Sequence, residues 1–180
     1  VHPQRPHTSA GTVEEYDPKS NTWRGRAPMP TPRNHAVGGA INGKIYVASG
    51  RVGAAFISGG SSNVGVIEAY DPATDSWSQG LARMAQARSA GAGAVYNGRL
   101  YITGGEYQDQ GTMATYRSLE AYDPATNSWQ MLAPMPVSRH GLAGAVVGNR
   151  LHMVSGDVQS AGTGVHVDSE AHDAYDFEKK

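Results

Sequence analysis

Apolar residues in this chain come in short runs of alternating or near-continuous character, and none recurs with a helical period. The runs His35 to Ile41, Ala90 to Tyr96 and Gly141 to Val147 are small and apolar. Each is followed by a turn pair, Asn42-Gly43, Asn97-Gly98 or Gly148-Asn149. Asn-Gly between apolar runs is a strong hairpin signal, because both central positions take positive φ. A second strand is predicted beyond each turn: Lys44 to Ala48, Arg99 to Thr103 and Arg150 to Val154. A third ends at Tyr-Asp-Pro, where proline stops the strand and the aspartate can accept hydrogen bonds from the next backbone amides. A fourth carries a tryptophan. The pattern predicts an all-β protein.

The runs belong to a repeat. Tyr-Asp-Pro stands at Tyr16, Tyr70 and Tyr122, with a degraded copy at Tyr175-Asp176-Phe177, so the intervals are 54, 52 and 53 residues. Trp23, Trp77 and Trp129 each follow their tyrosine by seven positions, and Met29, Met84 and Met135 each precede an arginine by four. Seventeen residues after Arg33, Arg88 and Arg139 stand the second residues of Ser49-Gly50, Gly104-Gly105 and Ser155-Gly156. Four-stranded units of about fifty residues arranged radially make a β-propeller.

On the double-glycine position, the Tyr-Asp-Pro corner and the tryptophan, the chain resembles kelch repeats, and with them the central domain of galactose oxidase. The resemblance implies a kelch-type β-propeller. It departs at Ser49 and Ser155, which replace the first glycine, and at Phe177, which replaces proline. Strand arithmetic gives third and fourth strands of one blade (12–28), two full blades (33–82 and 88–133) and a partial blade (139–177), about 3.25 blades in all. Kelch-like propellers close with six or seven, and an open half-ring leaves unpaired edges. The expectation is the C-terminal half of a larger propeller, the runner-up a half that closes with a second copy of itself.

Composition narrows the function classes. Fifteen Lys+Arg against sixteen Asp+Glu give a net charge of −1, which disfavours a nucleic-acid binder working by bulk electrostatics. No apolar run approaches the length of a membrane-spanning helix. The absence of cysteine removes disulfides, thiolate metal sites and Cys nucleophiles together. It also disfavours the copper–radical chemistry of galactose oxidase, which needs a Cys–Tyr crosslink. The compartment stays open, since the sequence begins at Val1 with no targeting signal in it.

In a four-stranded meander the second-to-third and fourth-to-first connections share a rim. Arg33, His35, Arg51, Arg88, Glu106, Arg139, His140 and Asp157 are therefore expected around one mouth of the central channel. The Arg-to-Gly spacing is fixed, while Gly to the next Tyr spans 20, 17 and 19 residues, so length variation is confined to the second-to-third loops. Arg51, Glu106 and Asp157 occupy one repeat position yet differ in charge, which reads as a ligand-binding set. Kelch adaptors of ubiquitin ligases use equivalent arginines to grip acidic groups, which the resemblance carries over as an expectation. The bland alternative has Arg33, Arg88 and Arg139 bonding carbonyls.

The leading reading is a non-catalytic binding module for a protein segment or a carbohydrate, with no cofactor. The alternatives are a scaffold and a sugar-active enzyme similar to kelch-type sialic-acid mutarotases. In the enzyme reading Glu106 would be the base and Arg88 the anion clamp. His166, Asp168, Glu170 and His172 are spaced by two, so an extended strand would project all four from one face. Their types suit Zn, Mn or Fe(II). Against this, Gly162 and Gly164 favour a loop, and His172 falls where Val13, Ile67 and Leu119 stand in the other units. Gly91-Ala92-Gly93 lies within a first strand and is no phosphate loop, because no helix follows. The tyrosines and tryptophans read as packing between blades.

Overall fold

The computed structural model describes residues 9–53, 62–109 and 112–179. The first hairpin pairs β1 (Val13–Asp17) with β2 (Thr22–Arg26). The next unit contains β3 (Val37–Ile41), β4 (Lys44–Ala48), β5 (Arg51–Val52), β6 (Ser62–Asn63), β7 (Ile67–Asp71) and β8 (Ser76–Ser78). Here β3-β4-β7-β8 form an antiparallel meander, and β5-β6 form a separate hairpin between its second and third strands. The plan repeats with β9 (Ala92–Tyr96), β10 (Arg99–Thr103), β11 (Glu106–Asp109), β12 (Thr112–Thr115), β13 (Leu119–Asp123) and β14 (Ser128–Leu132). The last sheet has three strands, β15 (Ala143–Val147), β16 (Arg150–Val154) and β17 (His172–Asp176), with a 3-10 turn at Ala161–Thr163. The blade sheets thus hold two, four, four and three strands. No α-helix occurs among the described residues.

The innermost strands β3, β9 and β15 abut in succession, as radial blades require. They are small because they crowd each other: a Cβ on Gly93 would lie 2.4 Å from a Val37 methyl and 2.6 Å from the Tyr101 carbonyl. Each first strand begins two residues later than the apolar pattern predicts. The cause is backbone: His35, Ala90 and Gly141 have φ of 55°, 54° and 63°, which breaks the extended run. That bend is held between blades, since the Ala90 amide donates to His35 O (3.0 Å) and the Gly141 amide to Ala90 O (2.8 Å).

Apolar residues fill the two seams. One cluster gathers Val37, Ile41, Ala48 and Ile67 with Leu100, Ile102 and Tyr122 of the next blade. The other gathers Tyr101, Leu119 and Met135 with Leu142, Leu151 and Met153. The tryptophans fasten the outer ends. Trp77 Nε1 donates to Ala27 O (2.8 Å), while the Asp75 carboxylate accepts the Ala27 amide (2.9 Å). Trp129 Nε1 donates to Ala82 O (2.7 Å), while Asn127 Oδ1 accepts the Ala82 amide (2.8 Å). Trp23 makes no such contact among the described residues and is 67% exposed. Phe177 stacks on Tyr96 with ring centroids 3.9 Å apart, so the residue that replaces proline in the last corner is a seam contact.

The corners work as their sequence suggests. Asp17, Asp71, Asp123 and Asp176 each accept the amide two residues on, at 2.9–3.1 Å. The tyrosine of each complete corner donates its hydroxyl to Asn21, Asp75 or Asn127. The Ser49 and Ser155 substitutions cost more than size alone suggests, because both residues are left-handed, with φ of 61° and 60°.

Candidate functional site

The fourth-to-first crossings run beside the starts of the second-to-third loops. Three isolated bridges record this: Asn34 with Arg51, Ser89 with Glu106, and His140 with Asp157. The residue after each arginine is therefore paired with the residue after each glycine pair. Arg33, Arg51, Arg88, Glu106, Arg139, His140 and Asp157 are all buried at or beside these bridges, while His35 is exposed.

The three repeat arginines turn inward. Arg33 donates to Val47 O (2.8 Å) and lies 3.1 Å from the Glu68 carboxylate. Arg88 donates to the carbonyls of Gln86, Gly104 and Ser118 and is ion-paired with Glu120. Arg139 donates to Ser155, Val137 and Met153 carbonyls and pairs with Asp173 at 2.7 Å. Burial pulls the Arg33 and Arg88 guanidiniums below the ordinary arginine range, and Glu68 and Glu120 counter it. Tyr116 covers Arg88, with the guanidinium carbon 5.1 Å from its ring centroid. These forks are engaged inside the blades, so the carbonyl-binding alternative describes their present contacts. Their acidic partners, two residues before each corner tyrosine, were legible as a repeat of Glu68, Glu120 and Asp173 and carry the layer's countercharge.

The charge difference among Arg51, Glu106 and Asp157 has a lateral explanation. Arg51 Nη1 reaches Glu106 Oε1 (3.1 Å) and Gln108 Oε1 (3.0 Å) across the seam. The other Glu106 oxygen accepts from Gln108 (2.8 Å), Ser160 (3.0 Å) and the Ala161 amide (2.9 Å), with His140 Nε2 at 3.6 Å. One carboxylate thus joins three blades. Asp157 continues the series, accepting from the Gln159 and Val167 amides and meeting His166 Nδ1 at 2.9 Å. Burial pushes the Asp157 carboxyl up, but those amides and the His166 and His140 imidazoles together hold it below the ordinary range. Arg51 and Glu106 differ in charge because they face each other across the seam. The arrangement leaves Glu106, 1% exposed and fully engaged, and Arg88, 0% exposed, with no free face for proton transfer or anion clamping.

The four-residue metal expectation does not assemble. Residues 164–171 form a loop with no strand, turned by Gly164 (φ 70°) and tied to the Asp157 carboxylate through Val167. His166 faces Asp157, whereas His172 lies on β17 against His152. No group of three or more His, Asp or Glu suited to a metal occurs among the described residues.

What stands above the charged layer is loop. The β11-β12 hairpin presents Met113 (47% exposed), and the segment after Asp157 presents Val165 (54%) and His166. Thr115 ties the two together, donating to Val158 O at 3.0 Å.

Comparison with known proteins places this geometry. Residues 32–80 and 87–136 match the family described as Kelch motif. The chain is 26% identical to Kelch-like protein terF of Aspergillus terreus, over 85% of this chain and 33% of that protein. It is 30% identical to Beta-scruin of Limulus polyphemus, over 92% of this chain and 18% of that protein. It is 31% identical to Kelch-like protein 24 of Rattus norvegicus, over 75% of this chain and 20% of that protein. The chain therefore spans a third or less of the length of these relatives. Among solved structures, that titled "Structure of YjhT" superposes with a TM-score of 0.77 at 19% identity, over 97% of this chain and 65% of the other, a likeness of fold.

Proposed function

Since this chain belongs to the kelch-repeat family, we propose that it is a protein-interaction module whose contact surface is the set of loops raised on the charged mouth layer. The observation that carries this reading is the engagement of the layer itself. Glu106 alone accepts from groups of three blades, so the layer holds the loops at fixed spacing and the partner meets the loop side chains. Scaffold rigidity with loop variation is how binding surfaces are built. Kelch-like names among the relatives support a protein partner, here an extended or loop segment that covers Met113 and Val165 while approaching His35 and His166. His35, Arg51, Asp157 and the arginines belong to the surface as its support, with His35 placed to touch the ligand.

The test is a selection from a displayed peptide library, run beside a glycan array. Bound peptides should lose affinity with Met113→Ser or Val165→Ser and keep it with Lys44→Ala on the opposite rim. Binders that ignore both loop variants, or sugars bound in place of peptides, would overturn the proposal.

A further inference from the structure

One blade carries an extra residue. Met29 and Met135 follow Trp23 and Trp129 by six positions, whereas Met84 follows Trp77 by seven. Both ends of this longer stretch are pinned across seams: Trp77 Nε1 donates to Ala27 O, and Ala82 is held by Trp129 and Asn127 of the next blade. The surplus is therefore expelled between them, at exposed Gly80, whose φ of 77° turns the chain out of the sheet. Pairing of β8 with β7 stops at Ser78 opposite Ala69, while β14 stays paired with β13 as far as Leu132 opposite Leu119. The peeled strand leaves a cavity of about 200 Å³ beside Ile67 and Glu68. A second departure falls at the same place. Where Pro28 and Pro134 precede the methionine in the other crossings, this one carries Arg83. Arg83 lines the cavity, is exposed, and makes no hydrogen bond or ion pair among the described residues.

From this pocket we infer a binding site for a short aliphatic monocarboxylate, with its carboxylate on Arg83. The Glu68 carboxylate beside the cavity is already neutralised: Arg33 Nη1 lies 3.1 Å from one oxygen, and the Thr31 hydroxyl donates to the other at 2.7 Å. What remains unmatched is the positive charge of Arg83, so the pocket selects an anion. A planar guanidinium meets a carboxylate through two parallel hydrogen bonds. Val66, Ile67 and Leu81 supply an apolar wall, which a hydrocarbon tail covers and a hydrated inorganic anion leaves wet. At about 30 Å³ for each water-sized group, the cavity takes about six or seven non-hydrogen atoms, the size of isovalerate. In the third blade, by contrast, the fourth strand stays paired and proline stands in place of the arginine. None of the residues lining the cavity belongs to the bridges of Arg51, Glu106 and Asp157, so the site does not depend on the proposal for the loops.

The experiment is titration of the isotope-labelled chain with sodium isovalerate, read as amide chemical shifts by NMR, beside isopentylammonium chloride and sodium chloride at equal ionic strength. The expected result is saturable binding of isovalerate with shifts at Ile67, Gly80 and Leu81, and no saturable response to the ammonium or to chloride. Arg83→Gln keeps a polar side chain but loses the charge-assisted pair, and should weaken binding by at least about tenfold. Arg83→Pro restores the residue of the other crossings, and the Arg83 amide has no acceptor among the described residues. That variant should therefore keep the fold, as circular dichroism will show, and lose the binding. Equal isovalerate affinity in the chain and Arg83→Gln, saturable binding of the ammonium in its place, or no saturable binding at all would overturn the inference.

Discussion

Replacing Ser49 by glycine should stabilise the protein. Ser49 is fully buried with φ of 61°, and its hydroxyl has no hydrogen-bond partner. The left-handed conformation costs an L-residue about 1–2 kcal/mol. An orphaned buried hydroxyl costs about 1–3 kcal/mol. Against these stands the added freedom of glycine in the unfolded chain, about 0.5–1 kcal/mol. The net expectation for Ser49→Gly is a gain of about 1–4 kcal/mol. Ser155 provides the control, because it shares the left-handed backbone (φ 60°) but is exposed, so only the conformational part applies. Ser155→Gly should gain at most about 1.5 kcal/mol. Gly104→Ser should do the reverse, since a Cβ there would lie 2.6 Å from the Arg139 carbonyl. Urea denaturation with the three variants side by side reads the differences as midpoint shifts at constant slope. A neutral or destabilised Ser49→Gly, or a Ser155→Gly gain as large as that of Ser49→Gly, would refute the reasoning.

Other consequences follow from the same contacts. Glu120→Ala leaves the buried Arg88 guanidinium without its countercharge, and denaturation should show a loss of about 3–5 kcal/mol. Trp129→Phe removes the bond to Ala82 O and part of the seam packing, for a loss of about 1–3 kcal/mol. The exposed Trp23→Phe should stay within about 0.5 kcal/mol of the parent. Asp17, Asp71, Asp75 and Asp176 are all held below the ordinary aspartate value of 3.8, chiefly by backbone amides of Lys19, Ala73, Ala27 and Glu178 respectively. Their stabilisation is complete above that value and is lost as pH falls through the lowered folded values. A pH series of melts should therefore be flat from these groups at neutral pH and fall below about pH 4, less steeply in Asp75→Asn.

The repeat made the sheets legible, because Tyr-Asp-Pro, the tryptophan and the turn pairs each have a local physical reason for their place. The strand starts were misplaced by two residues since nothing local announces that His35 and Ala90 will adopt positive φ. That conformation is imposed by the amide of the next blade, a long-range contact. The β5-β6 and β11-β12 hairpins lie within the loops of variable length and carry no repeated turn signal. In the bridged loops, the column of repeat positions suggested that unlike charges meant an external ligand. Arg51 and Glu106 are unlike because they face each other, a relation between adjacent blades that a column of repeat positions hides. His172 stood out by its alternation with His166, yet its contact is with His152, twenty residues away and one strand over.

Arg51 and Glu106 hold each other across the seam, and a double-mutant cycle on the pair tests this most directly. Unfolding free energies of Arg51→Met, Glu106→Gln and the double variant isolate the pairwise energy. The expected coupling is above about 1 kcal/mol, with Glu106→Gln the more damaging single change because it weakens contacts to three blades. A coupling near zero would contradict it, and would mean that these charges are free to serve a ligand.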